Sequence, residues 1–516
     1  MLSFDNRLVR ELPGDPESRN YPRQVLGAAW SAVAPTPVAA PRLLAFSPEV
    51  AAALGLDEIR LASPEWVSAL AGNRLLPGMM AYATCYGGHQ FGTWAGQLGD
   101  GRAICLGETV NAAGERFELQ LKGAGRTPYC RGADGRAVLR SSLREFLASE
   151  AMHHLGVPTT RALALVASGE NVIRDMFYDG RARAEPGAIV CRVAPSFLRF
   201  GHFELPASRG DTALLRRLVD FVIDRDFPAL RSPSEDRVAR WFIEVCERTA
   251  RLMVDWMRVG FVHGVMNTDN LSIIGLTIDY GPFGWVDDFD PAWTPNTTDF
   301  DGRRYCFGRQ PQVALWNLER LAEALASIAD PGELAAGLAH YRAVYQEAFA
   351  EAFAAKFGFK QWQDGDSELV DAVFGLMQAA EADMTCFFRD LAKVDPSAPE
   401  ISALADAFYR PDLLEAHREA VQHWLCQWGA RVVARGEPRA SRIRRMNAAN
   451  PRYVLRNYLA QQAIERAEQG EMDMIHELLE VLRRPYEKQP GRARFAAKRP
   501  DWAKHKPGCS MLSCSS

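Results

Sequence analysis

The sequence predicts an α+β fold in two lobes, a β-rich N-lobe followed by a larger α-helical C-lobe. Three observations carry this. From about residue 75 to 205, glycines and short β-like runs alternate with turn residues. A single segment inside that region, 137–156, spaces its apolar residues as a helix does. From about residue 211 onward helical periodicity dominates. The boundary falls near residue 205. Residues 1–205 hold an N-terminal extension and the N-lobe; residues 206–516 hold the C-lobe, a helical extension and a tail.

In chain order, FELQLKG (117–123) and AIVCRVA (188–194) read as strands. Between them, Val138, Leu139, Leu143, Phe146 and Leu147 mark one helical face, closed by Gly156 and Pro158. Helices follow in TALLRRLVDFVIDRDF, RVARWFIEVCERTARLMVDWM and VALWNLERLAEALASIA. Asn450 before Pro451 has the chemistry of an N-cap with proline at the first helical position, which starts a last helix at PRYVLRNYLAQQAIERAEQG.

Composition narrows the function classes. The 516 residues carry 60 Lys+Arg against 64 Asp+Glu, a formal charge of −4, so no bulk field draws the chain to nucleic acid or anionic lipid. No run of apolar residues is long enough to span a bilayer, and the first residues lack a secretory h-region, so a cytoplasmic address is expected. The cysteines contain no CxxC and predict buried, inert thiols. His153 and His154, like His417 and His423, show no metal-ligand spacing and read as structural.

Chemistry first shows in QFGTWAGQLGDGRAICLGE (90–108), where glycines crowd between strand-like flanks and free backbone N–H groups to meet phosphate oxygens. Lys122 then ends a strand, and Glu145 follows on the helix with Arg140 and Arg144 beside it. A Gly-rich hairpin, a strand lysine and a helix glutamate follow the order of a protein-kinase N-lobe, in which the glutamate aligns the lysine on nucleotide phosphates.

The sharper signal is FVHGVMNTDNLSIIGLTIDYGPFGWVDDFDP (261–291). Against the kinase patterns HRDxxxxN and DFG, His263 takes the histidine place, Asn270 that of the metal-binding asparagine, and Asp279-Tyr280-Gly281 that of DFG. The catalytic aspartate is missing, and its place is Val265. Asp269 is the nearest carboxylate. A hairpin-like return over LSIIGLTI would bring Asn270 and Asp279 together as oxygen ligands suited to Mg²⁺ on nucleotide phosphates.

These residues, with YGGHQFGTWAGQLGDGRA, ELQLKGAGRTPYCRGADGRAVLRSSLREFLASEAM, CRVAPSFLRFGHFE and NPRYVLRNYLAQQAIE, closely resemble the selenoprotein O family in its bacterial, cysteine-bearing form, over nearly the whole chain. The resemblance implies a bilobal protein-kinase-like fold that holds ATP flipped and passes AMP to protein Ser, Thr or Tyr hydroxyls, with self-modification as the simplest readout. It implies a Lys122–Glu145 ion pair directing phosphates, Asn270 and Asp279 holding Mg²⁺ (or Mn²⁺), and Asp269 as the base. Gly99, Gly101, Arg102, Asp134 and Gly135 match nucleotide-contacting positions, and Arg192 and Arg199 match a pair gripping the terminal phosphate. A histidine is usual where this chain has Phe197. Two alternatives stay open: a phosphotransferase using Asp269 as a displaced base, and a catalytically inactive nucleotide-binding scaffold.

In the tail, Cys514 takes a position that is selenocysteine in some relatives. The cysteine some relatives could pair with it is replaced here by Pro295, which leaves Cys306 and Cys509 as the nearest thiols in sequence. Residues 483–506 are strongly basic and read as a solvated face, or one that steers an acidic protein substrate.

Overall fold

A computed structural model describes residues 2–177 and 179–513. Its centre is an antiparallel seven-stranded sheet built from β1 (Trp30–Ala32), β2 (Arg42–Phe46), β3 (Tyr82–Thr84), β6 (Ala103–Val110), β7 (Arg116–Lys122), β8 (Arg161–Arg174) and β9 (Arg183–Ala194), in the order β1-β3-β6-β7-β9-β8-β2. A separate hairpin, β4 (Gly87–Gln90) and β5 (Thr93–Gln97), stands outside it. Helices make up most of the chain after Gly201. The chain is therefore α+β.

Strand parity positions the site. Leu119 and Leu121 of β7 and Cys191 and Val193 of β9 face an apolar cluster shared with Trp66 and Leu70. Alternation then sends Gln120, Lys122 and Arg192 to the opposite face, where Gln120 stands directly across the ladder from Arg192. A one-residue slip would exchange the two sets, so burial of the leucines fixes where the charges point. The helix Leu139–His154 lies inside the segment expected for it and buries Leu143, Phe146 and Leu147 where it packs against β8, β9 and the helices Asn457–Glu468 and Asp473–Leu482. A second, largely aromatic cluster around Phe357, Trp424 and Trp428 organises the later helices.

Three local expectations need correction. Asn450 does not start a helix: it caps the C-terminus of Arg439–Ala449, and the next helix begins at Asn457. Its amide is taken by Lys356, Nδ2 donating to the backbone carbonyl and Oδ1 accepting from Nζ, and this tertiary contact overrides the capping signal. The segment 271–278 forms no hairpin of its own. Ser272 instead bridges to Arg199 and Thr277 to Thr159. None of the lysines and arginines of the basic stretch 483–506 is buried, and several pair with acids, Arg492 and Arg494 with Glu477, Arg499 with Asp288 and Lys506 with Glu465. Finally, His153 and His154 do have a carboxylate neighbour, Glu49.

Among the described residues every cysteine is unpaired, and all but Cys386 and Cys426 are buried, Cys306 and Cys509 included. Cys514 lies outside the described residues. The chain just before it runs beside Pro295, whose carbonyl accepts from Leu512 N at 2.9 Å. No helix of the described residues is long and apolar enough to cross a membrane.

Candidate active site

A cavity of about 560 Å³ opens between the sheet face carrying Lys122 and the loop 263–282. Of the residues singled out in the sequence, Gly101, Arg102, Lys122, Asp134, Gly135, Arg192, Asp269, Asn270 and Asp279 line it. Glu145 and Arg199 bind to those lining groups from behind. Gly99 stands outside the lining; its φ of +73° and the Tyr129 ring, 2.3 Å from where a Cβ would be, leave room for glycine alone. Gly135, at φ +70°, likewise crosses 2.1 Å from the Gly125 carbonyl, measured from the position of an added Cβ.

Charge is concentrated on Asp279. Lys122 Nζ lies 2.6 Å from Glu145 Oε2 and 3.4 Å from Asp279 Oδ1. Arg192 Nη1 donates to Glu145 Oε1 at 3.0 Å and also to Asp279 Oδ1, while its Nη2 donates to Gln120. Arg199 Nη1 donates to Asp279 Oδ2 and, at 2.8 Å, to the Asp269 backbone carbonyl. Three cations thus converge on two carboxylates. Burial alone would raise the Asp279 pKa, but Arg199, Arg192 and Lys122 hold it well below the usual carboxylate range. Burial lowers the Lys122 pKa, against the pull of Glu145 and Asp279. Asp279 sits at φ +60°, a left-handed conformation that costs a non-glycine residue about 1–3 kcal/mol and that the three ion pairs sustain.

Asp269 has the opposite environment. Burial, with the nearby Asp279 charge adding to it, pushes its carboxyl up to about 7, although Arg199 and Gln90 oppose the shift. Oδ2 accepts from Gln90 Nε2 at 3.4 Å, whereas the buried Oδ1 has no hydrogen-bond partner. The loop under it is pinned from several sides. His263 Nε2 meets the Ile278 carbonyl at 2.8 Å, Asn270 Nδ2 donates to the Val265 carbonyl at 3.0 Å, and Thr268 Oγ1 accepts from His89 N at 2.7 Å while donating to Glu204 at 2.8 Å. The hairpin β4–β5 is thereby clamped over Asp269. Val265 lines the same cavity and offers no proton acceptor on its side chain.

The donor set fits a hard divalent cation. Because Asn270 spends Nδ2 on Val265, its Oδ1 is the end left for a metal, and Asp279 supplies an ionised carboxylate nine residues on.

The comparisons with known proteins agree along the whole chain. The family model described as "Protein adenylyltransferase SelO" matches residues 23–483. The chain belongs to the SelO family. Among its relatives, a protein named "Protein nucleotidyltransferase YdiU" from Methylobacillus flagellatus is 63% identical over 518 residues, covering 100% of both chains. Proteins of the same name from Tolumonas auensis and Xanthomonas campestris pv. campestris are each 63% identical, with 100% of this chain and 99% of theirs aligned.

Sequence reasoning missed several residues that this SelO-family site uses. Gln120, two positions before Lys122 on the same strand face, was open to the parity argument. Gln90 lay within a quoted motif but its reach to Asp269 is tertiary. Tyr86, over whose ring the Arg199 guanidinium lies at 4.7 Å, opens the same quoted motif, but its contact with Arg199 is tertiary. Phe197, where a histidine is usual, packs its ring against Arg192 at 5.1 Å, so the apolar residue serves as a platform for the guanidinium.

Proposed function

We propose that the protein transfers AMP from ATP to Ser, Thr or Tyr hydroxyls of proteins, its own included, with release of pyrophosphate. The observation that carries this reading is the pairing of Val265 with Asp269. The place of a kinase base is apolar, while a buried carboxylate with one unpartnered oxygen stands beside Asn270. Membership of the SelO family supports adenylyl rather than phosphoryl transfer. The ion-paired Lys122, Glu145, Arg192 and Asp279 speak against an inactive scaffold, since nucleotide binding alone does not need so full an array. The order of Gly-rich hairpin, strand lysine, helix glutamate and the loop 263–281 supports a bilobal protein-kinase-like arrangement, and the family resemblance implies that ATP is held flipped between the lobes. A cytoplasmic address accords with the composition.

In the reaction, Asp269 accepts the proton of the acceptor hydroxyl as its oxygen bonds to the α-phosphorus and the bond to the pyrophosphate oxygen breaks. Arg192 and Arg199 exchange Asp279 for phosphate oxygens, which their planar donor forks suit. Mg²⁺, or Mn²⁺, held by Asn270 and Asp279 would supply charge neutralisation on the phosphates. Lys122, steered by Glu145, reaches the same phosphates from the sheet side. Incubation with ATP labelled separately at the α and γ phosphates tests the reading: α-label should enter protein and γ-label should not, and the reverse would make the protein a kinase.

A further inference from the structure

The last turn of the helix that carries Glu145 ends in His153 and His154, and the short helix Pro48–Ala53 brings Glu49 to both. One ligand atom from each of the three side chains lies within 4.8 Å of the others. His154 Nε2 is 3.3 Å from Glu49 Oε2. That separation is about the edge of a coordination shell with bonds of roughly 2.0–2.2 Å. His154 Nε2 is also a buried nitrogen that makes no hydrogen bond, not even to Glu49 at 3.3 Å.

We propose that Glu49, His153 and His154 form a second metal site, for a borderline transition-metal dication of the Zn²⁺ type, separate from the oxygen site at Asn270 and Asp279. Two imidazoles and one carboxylate are a donor set that Zn²⁺, Co²⁺ or Ni²⁺ takes and Mg²⁺ does not favour. Burial lowers the pKa of both histidines, which keeps them neutral ligands. Each neighbouring arginine has a closer carboxylate than Glu49. Arg161 holds Glu150 through two contacts of 2.7 Å and touches Glu49 only at 3.3 Å, and Arg483 lies 3.9 Å from Glu49 but 2.8 Å from Glu480. Glu49 is partly exposed, and its Oε2 also accepts from Arg161 at 3.3 Å, a contact that an ion would replace. His154 also borders a cavity of about 630 Å³, which leaves the ion an open side for water or an anion. An ion here would tie the N-terminal layer to the end of the Glu145 helix.

The test is Zn²⁺ titration by calorimetry and Co²⁺ titration by visible absorption on the tag-free full chain, in an Asp279→Asn background that removes the other metal site. One equivalent of Zn²⁺ should bind, Co²⁺ should show nitrogen–oxygen ligand-field bands, and Glu49→Gln and His153→Gln should each weaken binding by about 100-fold. Glu49→Gln alters a half-exposed side chain, so its fold is expected to persist, and metal-free melting of each variant checks this. Equal Zn²⁺ affinity in the parent and both variants, or no Zn²⁺ binding by the parent, would overturn the proposal.

Discussion

Gly88 of β4 lies so close to Asp269 that a Cβ added there would stand 2.9 Å from both Asp269 Cβ and Oδ1, and 3.1 Å from its backbone nitrogen. The hairpin and the proposed base are thus in direct contact through the one residue type that permits it. Gly88→Ala is expected to displace the carboxylate and to lower turnover by roughly 100-fold, the cost of misplacing a reacting group by about 1 Å. ATP affinity should hold, because Gly88 does not line the cavity. Steady-state kinetics with calorimetric ATP binding separates the two, and unchanged turnover would show that the contact is slack.

Asp279 is the point where three cations meet, and Asp279→Ala removes at once their counter-charge and the proposed metal ligand. Transfer should fall by at least about 10²- to 10³-fold, the usual loss when a charge-stabilising group is deleted. Excess EDTA should do the same to the parent protein. Near-parental activity of a folded Asp279→Ala at saturating Mg²⁺ would place the metal elsewhere.

Arg192 shows what was and was not legible in the chain. That 188–194 is a strand could be read from its short apolar, β-branched run, and the pairing of β9 with β7 then sets Arg192 opposite Gln120. The lysine and glutamate of the ion pair were legible because each sits on a strongly patterned element. What the sequence hid is contact between distant segments. Arg199 reads as a surface arginine apart from the family resemblance, yet it is 1% exposed. Asn450 reads as an N-cap until Lys356 is placed beside it. Glu49 stands more than a hundred residues from the histidines it meets.

Arg192 also bonds three partners at once, which a lysine ammonium on a flexible stem cannot reproduce. Arg192→Lys keeps the charge and should still lower kcat/KM for ATP by roughly 10- to 100-fold, the worth of one charged hydrogen bond of about 1.5–3 kcal/mol. Kinetics at constant Mg²⁺ checks this, and a parental kcat/KM would mean that charge alone is what the site uses.

The raised pKa of Asp269 sets the sign of the pH dependence. A base works deprotonated, and burial has moved this carboxyl up to about 7. Activity should therefore drop close to tenfold per unit as pH falls below about 7 and level off above it. A cation at Asn270 and Asp279 favours the ionised carboxylate, so the acidic limb should slide to lower pH as Mg²⁺ is raised. A flat profile between about pH 6 and 8 at low Mg²⁺ would remove Asp269 from the rate-limiting step.

The contrast between Asp269 and Val265 separates this enzyme from a kinase most directly. In a kinase the base sits five residues before the metal-binding asparagine, and here that residue is Val265, with its backbone carbonyl occupied by Asn270 Nδ2. Asp269 lies next to Asn270 and under the Gln90 amide, with its unpartnered Oδ1 buried against Gly88. Asp269→Ala should lower adenylyl transfer by about 10²- to 10⁴-fold, the span of general-base assistance, with ATP affinity little changed. Val265→Asp should fail to create phosphoryl transfer, because the groups proposed to orient the nucleotide, Arg192, Arg199 and the Gly-rich loop, all remain in place. Both variants are to be followed with α- and γ-labelled ATP in parallel. Near-normal turnover of Asp269→Ala would eliminate it as the base; γ-phosphate transfer by Val265→Asp would mean that one carboxylate, and not the orientation of ATP, decides which phosphorus is attacked.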